Sequence, residues 1–268
     1  MPKLHRVTSP PGGLQTFAID ELHIADHAAF RGIGLYHDLR AALRRDDYAF
    51  RIMPAATPRW DMALVLNLGF WQPRGGGDVL TDAHLEADVV CHTAWHHLAG
   101  AALAEEELPL AGEALLLGEA IASAFDVYLL GRLVSTAPDC DFVATQLPAM
   151  AESAEAAGRS AEQFADLVAE MQLQPERAFE DLRQLLYDTV MGLWRAVDAD
   201  QALAVLQAAD AHRFGCLAHH YELANWLQHV RAAPCNASTG NAERLDAELR
   251  RQPEALQWLA AQWLGGSA

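Results

Sequence analysis

The sequence predicts a mainly α protein, a multi-helix domain that leaves room for a small β element near residues 62–70. Apolar residues recur at helical spacing along most of the chain, and recognisable helix-start signals accompany them. Ser160 is followed three residues later by Gln163, which is the spacing of a capping box, and Pro175 suits the first turn of a helix. With 268 residues and 51% hydrophobic content, the chain can bury one large core or two small ones.

The N-terminal part of the chain, residues 1–135, is predicted to carry the functional site. Residues 15–50 look mainly helical, whereas large and small apolar residues alternate over 62–70, which is typical of a strand. Two helices are predicted next, over about 82–107 and 111–134, with Thr81 or Asp82 as the N-cap of the first.

The C-terminal part, residues 140–268, is predicted to be helical throughout and to pack as one unit with the first part. Its periodic segments are separated by turn-forming residues such as Gly158 and by the loop at 234–240. Helices are predicted over 141–157, 160–172, 175–197, 200–231, 242–251 and 254–264.

Charge and cysteine usage narrow the class of protein. The net charge is −17 and the basic residues are dispersed, which disfavours nucleic acid and anionic membrane surfaces as partners. The longest uncharged apolar run, 62–71, is too short to span a bilayer. Four cysteines without CxxC spacing and an N-terminus without an apolar leader indicate a cytoplasmic protein with reduced thiols. The expected partner is a small molecule or peptide of unknown identity.

One stretch indicates chemistry. His92 and His96 are four residues apart, so a helix presents both imidazoles on one face, one turn apart. Glu119 follows on the next predicted helix. Two imidazoles and one carboxylate form a three-ligand site for a divalent metal ion and leave positions open for water or substrate.

The surroundings of these residues support the site. Glu119 lies in the most apolar predicted helix, where a carboxylate needs a cation or hydrogen bonds. Ser123 and Asp126 follow Glu119 on the same face, four and seven residues later, and can orient the metal ligands by hydrogen bonds. The alternative is that Glu119 belongs to an exposed polar stripe, and that the chain is a metal-free helical interaction protein.

The segment from His92 to His96, followed by Gly118-Glu119-Ala120, resembles the gluzincin group of zinc metallopeptidases over about residues 60–130. The resemblance implies that His92, His96 and Glu119 are the zinc ligands. The general base of that group should follow the first histidine, but Thr93 stands there, and threonine is no base at neutral pH. The resemblance therefore implies a divergent or inactive metallohydrolase.

Two histidines and a carboxylate also describe the facial triad of non-haem iron oxygenases. Oxygen activation needs open coordination positions rather than a base, so this alternative is compatible with Thr93. The sequence does not separate zinc from iron.

Other histidines are secondary candidates. His23 and His27 repeat the spacing of four but have no buried carboxylate on a neighbouring helix. The group formed by His212, His219, His220 and His229 is placed on one predicted helix, where a polar flank is the favoured interpretation. One of the four can alternatively approach the site as a proton donor or fourth ligand. His97 points about 100° away from His96 and is a poor co-ligand.

Overall fold

The computed structural model describes residues 14–52, 79–80, 82–104, 110–232 and 240–265. Within these residues the protein is mainly α, with eleven α-helices and two small sheets, as predicted. The strand predicted over 62–70 lies outside the described residues.

The two small sheets lie near the N-terminal end of the described chain. Three strands form one sheet, in which the central strand pairs antiparallel with the first and parallel with the last: β1 (Gln15–Ala18), β3 (Ala49–Ile52) and β4 (Val79–Leu80). A parallel pair forms the other: β2 (His23–Ala25) and β5 (His84–Glu86).

The prediction that residues 15–50 are mainly helical is therefore wrong in part. Two helices are present, α1 (His27–Phe30) and α2 (Gly34–Arg45), but three of the five strands also fall in this range or overlap it. In β3, Phe50 and Ile52 are buried and alternate with half-buried neighbours. A period of two over four residues is too short to stand out in the sequence, and the pairing partners lie far away along the chain.

Two long helices form the centre of the N-terminal part, α3 (Ala87–Leu103) and α4 (Gly112–Leu133). The predicted start of α3 near residue 82 is too early, because residues 84–86 pair with β2 instead. The helices approach closely at Gly118, where an added Cβ would lie 3.3 Å from the Cβ of Ala99. Their contacts run in opposite directions along the two helices, so α3 and α4 are antiparallel.

Helix α4 is the central helix of the protein. It is long and apolar enough to cross a bilayer, but 89% of its most apolar window is buried inside the protein, as in a core helix. It contacts α3 and several C-terminal helices. These are α5 (Asp141–Ala156), α6 (Ala161–Leu173), α7 (Pro175–Arg195), α9 (His220–Ala232) and α10 (Asn241–Leu249).

Two start signals in the C-terminal part are confirmed. The Ser160 side chain accepts a hydrogen bond from the backbone N–H of Gln163, whose side chain accepts one from the Ser160 N–H. Pro175 is the first residue of α7. The last helix, α11 (Ala255–Trp263), also lies where the sequence predicts one.

The single helix predicted over 200–231 is wrong, because it is two helices, α8 (Ala199–Asp210) and α9, joined by a turn and a 3-10 segment (Gly215–Leu217). The chain turns back sharply at Gly215, where an added Cβ would lie 2.4 Å from the carbonyl oxygen of Ala209. Phe214, Cys216 and Ala218 are buried across this turn. The apolar pattern therefore continues through the break and conceals it.

Candidate metal centre

His92 and His96 lie one turn apart on the face of α3 that meets α4. Their Nε2 atoms are 3.2 Å apart, and their side chains are only 19% and 11% exposed. Glu119 of α4 faces both rings. Its Oε2 is 2.8 Å from Nε2 of His96, and its Oε1 is 3.8 Å from Nε2 of His92. The structure thus brings together the three residues that the sequence singles out.

The donor atoms have the spacing that a metal ion requires. One ligand atom from each of the three residues lies within 4.8 Å of the other two. A tetrahedral ion with bonds of about 2.05 Å separates its donors by about 3.3 Å. The two imidazole nitrogens are 3.2 Å apart, and they lie 2.8 Å and 3.8 Å from the nearer carboxylate oxygen of Glu119, Oε2 for His96 and Oε1 for His92. An octahedral ion with bonds of about 2.1 Å separates neighbouring donors by about 3.0 Å, and the observed distances lie on both sides of that value. The cluster can hold a metal ion, and its spacing does not select between zinc and iron.

Glu119 is a buried anion, not part of an exposed stripe. Its exposure is 8%. Burial raises the pKa of Glu119, but the charges of His96 and His92 and the hydrogen bonds from His96 and Ser123 outweigh it, so that the net pKa lies below its ordinary value. The carboxylate is therefore held in its charged form, which is the form that binds a cation. Ser123 contacts it from the next turn, as its +4 spacing predicts.

Asp126 lies on the other side of the His92 ring. Its Oδ2 is 3.8 Å from Nδ1 of His92, while Nε2 of the same ring faces Glu119. A separation of 3.8 Å is longer than a direct hydrogen bond, so Asp126 acts on the His92 ring through its charge. Asp126 is 39% exposed, so one side of the site borders solvent.

Asp88 is a third carboxyl group near the site, and the sequence analysis missed it. It precedes His92 by one turn on the same face of α3. Burial, followed by the charges of Asp126 and Glu86, raises the pKa of Asp88 to about 6, and hydrogen bonds from the backbone oppose this rise only in part. The repeat of four residues through Asp88, His92 and His96 was a readable signal. The carboxyl groups along this α3–α4 seam create a negative potential that attracts a cation.

Thr93 lies in the core and does not take the place of the missing base. Its side chain is fully buried, and its Oγ1 has no hydrogen-bond partner among the described residues.

Most of the other histidines have structural partners. His23 lies in β2 and His27 in α1, so they share no helix face; Nδ1 of His27 is 2.6 Å from the hydroxyl of Tyr36. His97 points away from the site as predicted, with its Nε2 2.9 Å from Asp46. No second metal cluster of this kind is found in the described part of the chain.

The group His212, His219, His220 and His229 is divided by the break between α8 and α9. His212 accepts a hydrogen bond from the Phe214 N–H, and Nε2 of His220 is 2.8 Å from Asp210 at the end of α8. His229 lies near the end of α9. Burial lowers its pKa, and the charge of Glu119 opposes that change, so His229 lies within electrostatic reach of the site.

Comparisons with known proteins add no relative to this geometry. No protein-family model, no curated protein and no solved structure matches the chain.

Proposed function

We propose that this protein binds a divalent metal ion, zinc or iron, through His92, His96 and Glu119. One observation carries the proposal: the two imidazoles and the buried carboxylate converge at ligand spacing from two different helices. The cost of burying the Glu119 anion is offset when a metal cation joins it. Ser123 and Asp126 are proposed to orient Glu119 and the His92 ring.

We further propose that the protein is a divergent or inactive metallohydrolase related to the gluzincin group. A bound zinc ion would polarise a water molecule or a carbonyl oxygen of the substrate. The proposal of altered activity rests on Thr93, because a buried threonine can neither remove a proton from that water nor contact it. The substrate class remains a small molecule or peptide, handled in the cytoplasm.

The same burial of Thr93 favours a second candidate, a helical non-haem iron oxygenase. Three facial ligands leave three octahedral positions for oxygen and substrate, and that chemistry needs no base next to the first histidine.

The decisive measurement is the metal content of tag-free protein, by inductively coupled plasma mass spectrometry after gel filtration. The expected result is about one zinc or iron per chain in the wild type and a loss of most of it in Glu119→Gln and His96→Ala. His220→Ala is the matched control, because His220 is an exposed histidine paired with Asp210. Zinc supports the hydrolase and iron the oxygenase. A wild type that contains neither metal and does not bind added metal would refute metal binding and would favour the hypothesis of a metal-free interaction protein.

A further inference from the structure

The break between α8 and α9 opens into a cavity that shares no lining residue with the metal centre. Its volume is about 650 Å³, which is within the range of sites that hold a small organic molecule. Its walls come from the end of α5, the start of α6, the end of α8, the 3-10 segment and the start of α9. Five elements that lie apart in the chain therefore meet around this space.

Arg159 is the cation of this cavity. Its Nη2 donates a hydrogen bond to the carbonyl oxygen of His212, 3.0 Å away, which holds the half-buried side chain at the cavity wall. Its charge also opposes the rise in pKa that burial causes in the Cys216 thiol. No carboxylate oxygen among the described residues lies within 4.0 Å of the guanidinium, whereas Arg213 in the same turn is paired with two carboxylates. The positive charge of Arg159 is therefore not neutralised by the protein.

The start of α9 adds further hydrogen-bond donors. His219 and His220 line the cavity, and α9 begins at His220. The backbone N–H groups of residues 219–222 have no acceptor within the described part of the chain. Such groups point away from the first turn of a helix, where the helix dipole is positive. This end of α9 thus complements the charge of Arg159.

The carboxylate that lines the cavity is already paired. Among the described lining residues, Asp210 is the one acidic side chain, and its Oδ1 is 2.8 Å from Nε2 of His220. The exposed ring of His219 has no such partner in the described structure. Arg159, His219 and the start of α9 therefore face the cavity without an opposing carboxylate of their own.

We propose that this cavity binds the phosphate group of a small organic molecule through Arg159, His219 and the backbone N–H groups at the start of α9. A guanidinium group fits a phosphate with two parallel hydrogen bonds, and the start of a helix favours an anion. The cavity has room for an organic group attached to the phosphate. The proposal adds a second binding site and does not depend on metal binding.

The test is a titration of the full chain with inorganic phosphate by isothermal titration calorimetry, at constant pH and constant ionic strength. The wild type should bind about one phosphate per chain with a dissociation constant of about 1 mM or lower. Arg159→Gln should weaken this binding by about tenfold or more, because charge-assisted hydrogen bonds are lost. Arg251→Gln is the matched control, since it removes the same charge from an exposed arginine that is paired with Glu248.

Ala157→Glu tests the cavity without changing Arg159, whose replacement removes the hydrogen bond to His212. Ala157 is exposed at the end of α5 and lines the cavity, so the new carboxylate would repel a bound anion. Phosphate binding should weaken by about fivefold or more, with an unchanged circular dichroism spectrum.

Several results would overturn the proposal. These are a wild type that does not bind phosphate, equal affinities in the wild type and both cavity variants, or an equal loss in Arg251→Gln. Acetate binding as tight as phosphate binding would make the cavity a carboxylate site instead. A loss of binding in Glu119→Gln that Arg159→Gln does not share would place the phosphate at the metal centre. Each of these results leaves the proposed metal binding intact, because the metal content is measured independently.

Discussion

Replacing Asp126 by alanine tests whether the α4 face beyond Glu119 contributes to metal binding. The carboxylate lies 3.8 Å from Nδ1 of His92, and its charge favours the tautomer that has the proton on Nδ1, which leaves Nε2 free to bind the ion. Without Asp126, the His92 ring loses the group that selects this tautomer and holds its orientation. Metal affinity should fall although no ligand has been removed.

The structure sets the magnitude. Loss of a directly hydrogen-bonded partner behind a ligand typically costs 10–100-fold in metal affinity. The Asp126–His92 separation of 3.8 Å is longer than a direct hydrogen bond, and the Asp126 side chain is 39% exposed, so solvent screens much of this interaction. We therefore expect a decrease of about 3–10-fold in Asp126→Ala, at the low end of that range, and a smaller one in Asp126→Asn, which keeps an acceptor.

The assay is competition for Zn²⁺ against a chromophoric chelator at constant pH and salt, with circular dichroism to verify the helical fold. Asp200→Ala is the matched control, because it removes one negative charge from the exposed helix α8. Equal affinities for wild type and Asp126→Ala would refute the reasoning and remove Asp126 from the site. An equal decrease in Asp200→Ala would show that net charge, rather than contact with His92, determines the effect.

Three further predictions concern catalysis and stability. Because Thr93 is no base, the zinc-loaded protein should show no casein hydrolysis above a chelator-treated sample, and robust hydrolysis that the chelator abolishes would contradict this. Ionised Asp88 opposes folding, because its folded-state pKa of about 6 exceeds the ordinary 3.8. Asp88→Asn should therefore raise the free energy of unfolding by about 1–3 kcal/mol at pH 7.5, with the gain fading as the pH falls through 6 toward 4; a gain independent of pH would exclude this cause. Gly131→Ala places a Cβ 2.3 Å from the carbonyl oxygen of Met171 and should destabilise by about 2 kcal/mol or more in urea unfolding, whereas Gly34→Ala, with open space around it, should change little. Equal stability of the two glycine variants would show that α4 and α6 can separate without cost.

The candidate site was readable because local geometry determines its parts. A spacing of four places His92 and His96 on one face wherever their segment is helical, and the apolar run around Glu119 requires a partner for its charge. Those two arguments depend on helix periodicity and burial alone. They were sufficient to predict the convergence of the three side chains, although nothing in the sequence states how α3 packs on α4.

Residues that reach the site from other elements were harder to predict. His229, on whose pKa the charge of Glu119 acts, lies more than 100 residues after Glu119 on α9, and α9 packs against α4 through Val230 at Gly112. The turn that separates α8 from α9 has to form first, and its buried residues continue the apolar pattern of the helices. A one-dimensional pattern cannot show a reversal of direction that leaves the polarity of the residues unchanged.

The sequence by itself determined the helical class, the capping signals at Ser160 and Pro175, and the set His92, His96 and Glu119. The start signals and the spacing of His92 and His96 are properties of neighbours within two turns of one helix, and the need of Glu119 for a partner follows from the apolar run around it. The tertiary structure alone decided the short strands, the core position of Thr93 and the break between α8 and α9. These depend on pairing and packing between segments far apart in the chain, where contact energies outweigh local preference.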